Sequence, residues 1–175
     1  MSNGLQTLTI AHVATGLVAI VTGFVVMSGL FRSKRLDQWT AIFLFSTALT
    51  SITGFYFPSE GFTPAKGLGI LSLIALGLGG TARYAKEMAG RWRTVYVVGA
   101  VVSLYFNVLV LVTQSFQKIP SLHDLAPTQS APPLFVAQFV VLAFFVAIGF
   151  LAEARFRPQA IRAQQNNPSV SAVAS

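Results

Sequence analysis

The sequence predicts an all-α integral membrane bundle of five transmembrane helices, N-terminus outside and C-terminus cytoplasmic. Three observations carry that prediction. The 175-residue chain is 54% hydrophobic and only 10% charged, with mean hydropathy +0.67, whereas soluble domains carry about a quarter charged residues. Its apolar residues gather in five runs, at 5–31, 39–57, 64–82, 95–116 and 133–152, each near the roughly 20 residues that cross a bilayer. Its charges lie between those runs, and they alternate in sign balance.

Arg32, Lys34 and Arg35 follow the first run; Arg83, Lys86, Arg91 and Arg93 follow the third; Arg155, Arg157 and Arg162 follow the fifth. Ten of the 12 basic residues therefore share one side with Asp37, Glu87 and Glu153, giving it +7. The other side holds Lys66, Lys118, Glu60 and Asp124 and is neutral. By the positive-inside rule the basic side is cytoplasmic. The pI near 10.4 is thus a topology signal, with some attraction to anionic lipid, and does not imply nucleic acid as a partner. The chain has no cysteine, which excludes disulfides, thiolate metal sites and a cysteine nucleophile.

The first run, 5–31, lacks a basic segment before it and carries its charges after it, so it reads as a retained helix and not a signal peptide. The second and third runs, and the fourth and fifth, read as two hairpins of like orientation. In each, an aromatic segment and a proline close one helix, "TGFYFP" and "TQSFQKIP". A hydroxyl and a proline open the next, Thr63 with Pro64 and Ser130 with Pro132 and Pro133. The third run, "GLGILSLIALGLGGTA", has five glycines, which suit close helix packing in lipid. Ala75 with Gly79, and Gly99 with Ser103, have small-xxx-small spacing. "GLGGTA" matches a dinucleotide fingerprint in form, but it lacks the preceding strand and the following acid. The end, "QQNNPSVSAVAS", reads as a cytoplasmic tail within 158–175, so the domain is 1–157. Asn167 precedes Pro168 and is no glycosylation acceptor.

No charged residue lies near the middle of any run, which argues against ion-coupled transport and voltage sensing. The polar groups there are neutral. Ser103, Asn107 and Gln114 share a face of the fourth run; Ser46, Thr50 and Thr53 form a stripe on the second; Gln138 lies in the outer part of the fifth. His12 lies at similar depth in the first, and His123 lies in the loop "SFQKIPSLHDLAPTQSAPP" above. Two readings stand side by side: hydrogen bonds between helices, or an outward-facing ligand pocket of His12, Asn107, Gln114, Gln138 and His123. A histidine there can donate to a quinone carbonyl, relay a proton, or ligate haem or metal. His12, His123 and Asp124 follow no metal-motif spacing. Ser121 and Asp124 have the spacing of a capping box, so residues 121–125 read as a short interfacial turn, either lid or connector. A serine hydrolase lacks its GxSxG and a triad order.

"TGFYFP...GFTPA" and "SFQKIPSLHDLAPTQSAPPLFVAQ" resemble segments of small uncharacterised multi-pass inner-membrane proteins of bacteria, a group from which no activity carries over. In size and helical content the chain also resembles DoxX-like membrane proteins, a group linked to quinone redox. The residues themselves read as those of a non-enzymatic accessory subunit or small-molecule-binding component of the bacterial plasma membrane, with a polar pocket near its outer face. It would meet the lipid bilayer, other membrane subunits or a second copy of itself. The alternatives are a redox component binding quinone or haem at the outer pocket, and a small transporter or channel.

Overall fold

A computed structural model describes residues 3–59 and 61–157. The tail assigned to 158–175 lies outside the described residues. Among the described residues six α-helices form: α1 (Asn3–Phe31), α2 (Asp37–Gly54), α3 (Pro64–Gly80), α4 (Trp92–Lys118), α5 (Pro120–Leu125) and α6 (Pro132–Arg155). No strand occurs among the described residues.

Among the described residues four segments are long and apolar enough to cross a membrane: Asn3–Phe31, Pro64–Ala85, Trp92–Lys118 and Pro132–Arg155. α2 is not among them. It has 18 residues, and Asp37, Gln38 and six Ser or Thr dilute its apolar content. The surface is inverted relative to a soluble globule. Ile10, Phe45, Phe139 and Phe150 are each 67–75% exposed, as expected where lipid is the solvent and not where water is. The molecule is a helical membrane protein on these grounds.

α4 is the axial helix. Tyr96, Val97, Ala100 and Leu104 along it are buried, and it packs on α3, α6 and α1. Small residues set the α3–α4 approach, as their spacing predicts. A Cβ added to Gly99 would lie 2.9 Å from the Ala75 carbonyl oxygen and 3.0 Å from Gly79 Cα, so only glycine fits. α1 and α2 run antiparallel along their lengths. Gly16 faces Thr50, Gly23 faces Phe43, and Gly29 faces Leu36.

Helix ends match the expectations in part. The Thr63 hydroxyl accepts from the Lys66 amide at 3.3 Å, with Pro64 opening α3. Ser130 does not cap α6: the N-cap is Ala131, and Ser130 pairs with the Thr128 hydroxyl instead. A short helix does form in the outer loop, but without the capping box. Pro120 starts α5 one residue early, Ile119 becomes the N-cap, and Ser121 already sits inside the first turn.

The larger difference is at the end of the third run. The chain does not leave the helix at Ala82. It continues through a π-helical turn, Thr81–Ala85, in which the Lys86 amide bonds back to the Thr81 carbonyl at 3.0 Å. Only then does it reverse, through Glu87, Met88 and Gly90, all at positive φ. The wider turn carries Arg83 into the bundle, where it is buried.

Candidate functional site

Polar side chains cluster in two places, one toward each end of the bundle. Near the neutral end, His12 Nδ1 lies 2.9 Å from Thr53 Oγ1, joining α1 to α2. The His12 ring also meets Phe57 edge to face, with centroids 5.1 Å apart. One turn deeper, the Thr50 hydroxyl donates to Thr15 at 3.1 Å. Across the bundle Gln138 Nε2 donates to Thr113 Oγ1 at 3.2 Å, joining α6 to α4. Asn107 Nδ2 donates to Thr47 Oγ1 at 3.0 Å, joining α4 to α2.

These bonds form two layers. Thr53 on α2 and Thr113 on α4 each lie six residues beyond the Thr47–Asn107 pair, about 9 Å at the helical rise. Of the five residues expected to form a pocket, none hydrogen-bonds another. His12, Asn107 and Gln138 each use a threonine hydroxyl on the neighbouring helix. Gln114 is half-buried and makes no side-chain hydrogen bond among the described residues, and His123 is exposed on α5. Among the described residues no three of His, Asp and Glu group as metal ligands do.

The second cluster was not legible as a site. Arg83, assigned from its charge to a connecting loop, has a fully buried side chain. Its Nη2 bonds and ion-pairs with Asp37 at the start of α2. Its Nη1 donates to Tyr96 Oη at 2.8 Å, and its guanidinium lies 5.0 Å from the centre of the Tyr96 ring. Tyr96 Oη is 3.4 Å from Thr40 Oγ1, and the Thr40 hydroxyl donates to the Leu36 carbonyl at 2.8 Å. Each hydroxyl has one proton to give. The order is therefore fixed: arginine to tyrosine, tyrosine to threonine, threonine to backbone. Arg35 Nε approaches Asp37 at 3.7 Å. The Nε atoms of Arg35 and Arg83 are buried without a hydrogen-bond partner among the described residues.

Beside it, Arg93 ion-pairs with Glu153 and donates to the Glu153 and Phe156 carbonyls at 3.0 and 2.8 Å. Thr94 donates to the same Glu153 carboxylate at 2.9 Å. The Ser33 hydroxyl donates to the Arg155 carbonyl at 2.6 Å and accepts from the Arg157 amide at 2.8 Å. The signal for this cluster was present in the sequence as a shortage. Ten cations share their side with three acids, so the two acids at helix ends, Asp37 and Glu153, are the natural partners of any arginine drawn inward.

Compared with protein families, characterised proteins and solved structures, the chain finds no match in any of the three. Its chemistry has to be read from these two clusters.

Proposed function

We propose that this chain is a non-enzymatic, five-span protein of a bacterial plasma membrane, an accessory subunit whose intramembrane polar groups hold its helices together. The observation that carries this reading is the use of those groups: His12, Asn107, Gln138 and Thr50 each bond a hydroxyl on a neighbouring helix. In lipid such bonds supply association that apolar burial cannot. The fifth span is α2. Its 18 residues rise about 27 Å, close to the roughly 30 Å hydrocarbon thickness. It lies antiparallel along α1, with exposed Trp39 near one end and exposed Tyr56 just past the other, as aromatic anchors at two interfaces do.

The topology is tested in a chain that has no native cysteine to interfere. Single cysteines at Ser59 and Ser121 are expected to react with an impermeant thiol reagent in intact cells, and one at Ala89 is expected to react only after lysis. The opposite pattern would reverse the orientation.

A second reading, a component that takes up a lipid-soluble ligand such as a quinone, is favoured by one observation. Near the neutral end, His12 Nε2 and the Gln114 amide have no hydrogen-bond partner among the described residues. Absorbance and native mass spectrometry of the purified protein separate the two readings. A bare protein supports the accessory subunit; a stoichiometric ligand lost in His12→Ala supports uptake.

A further inference from the structure

The hydrogen-bonding of Thr53 determines which nitrogen of His12 carries the proton. Thr53 Oγ1 lies 2.7 Å from the Leu49 carbonyl and 3.1 Å from the Thr50 carbonyl, as well as 2.9 Å from His12 Nδ1. Two oxygens at 2.7 Å require a proton between them, and the hydroxyl has only one. It is given to the backbone, so Thr53 accepts from His12 and the imidazole donates through Nδ1–H. In neutral His12 the other nitrogen, Nε2, then carries a bare lone pair.

The surroundings make that lone pair distinctive. One turn deeper, Ala14, Thr15, Val18, Ala41, Ile42, Phe45, Ser46 and Leu49 line an open groove of about 450 Å³ between α1 and α2. Its two hydroxyls turn their protons elsewhere. Thr15 donates to the Ala11 and His12 carbonyls, and Ser46 donates to the Ile42 carbonyl at 2.7 Å. The groove therefore offers an apolar wall, and His12, outside its lining and three residues before Thr15 on α1, offers an acceptor toward its outer end.

We infer that His12 Nε2 is a hydrogen-bond acceptor for the hydroxyl head of a lipid-soluble alcohol or phenol whose apolar tail lies in the α1–α2 groove. A carbonyl head is disfavoured, because it would set two acceptors against each other. A hydroxyl supplies the missing proton. The inference narrows the ligand-uptake reading to a hydroxyl-bearing head, a quinol and not the quinone itself, and rests on the membrane placement proposed above.

The test uses full-length protein in lipid vesicles, with ring-¹⁵N histidine, at pH 8, above the ordinary imidazole value of about 6.5. Exposed His123 serves as the internal reference. His12 is expected as the Nδ1–H form, with an unprotonated Nε2 resonance. 4-Dodecylphenol is expected to shift that resonance, and its methyl ether, 4-dodecylanisole, to leave it in place. In Thr53→Val the Nδ1–H preference is expected to be lost. A wild-type His12 protonated at Nε2 overturns the inference. So does an Nδ1–H ring that responds alike to the phenol and the ether. Cysteine labelling of the same preparations reports failure of the membrane placement separately, since a wrong topology changes the labelling without touching the tautomer.

Discussion

Arg83 contributes through being withdrawn from water, and its partners divide the compensation. Removing one member of a fully buried ion pair costs about 3–5 kcal/mol. Asp37 keeps two-thirds of its side-chain surface exposed, and solvent screening lowers the figure. Asp37→Asn is therefore expected to destabilise by about 2 kcal/mol, read as a lower unfolding midpoint in detergent. Adding Arg83→Met to Asp37→Asn is expected to recover part of that loss, because an apolar side chain of similar length leaves no stranded charge. Tyr96→Phe removes the acceptor of Arg83 Nη1 and the donor to Thr40. It is expected to cost about 1–3 kcal/mol as a buried partner lost.

At the level of elements, the α3–α4 contact gives the most direct packing test. Gly99→Ala forces a methyl against the Ala75 carbonyl and Gly79 Cα, backbone atoms that cannot rotate away. It is expected to cost about 1–3 kcal/mol. Gly77, on α3, has no atom within 4 Å of an added Cβ, so Gly77→Ala is expected to be neutral or to stabilise by about 0.5–1 kcal/mol. A thermal series in one detergent checks both. The glycine spacing made this contact readable before any coordinates, as did the apolar runs for the helices and Thr63 for the start of α3. Arg83 was misplaced for a physical reason: charge is a guide to solvent only where no partner is available, and Asp37 lies 46 residues away in sequence. The capping box failed because Pro120 can open a helix by itself, which moves the N-cap from Ser121 back to Ile119. His12 was legible as unusual, but its tautomer depends on where Thr53 sends its proton, and no spacing rule contains that.

Over the whole molecule, both tryptophans stand near the basic end, Trp39 in the first turn of α2 and Trp92 at the start of α4, with Lys86 Nζ 5.6 Å from the centre of the Trp92 ring. If α2 crosses the bilayer as proposed, both indoles sit at one interface. Lipids brominated near the headgroup are then expected to quench tryptophan fluorescence more strongly than lipids brominated near the chain end. Stronger quenching from the chain end would place Trp39 at mid-depth and remove α2 from the set of spans. The same end bears on the order in which the chain is made. Ser33, beside the first helix, is satisfied by the carbonyl of Arg155 and the amide of Arg157, and Arg93 by Glu153 and Phe156. Those partners belong to the last turn of α6 and the two residues after it, so they are the last of the described residues to be synthesised. A chain truncated before residue 153 therefore leaves Ser33 and Arg93 without these bonds, so the basic end is fastened only when the end of α6 has been made.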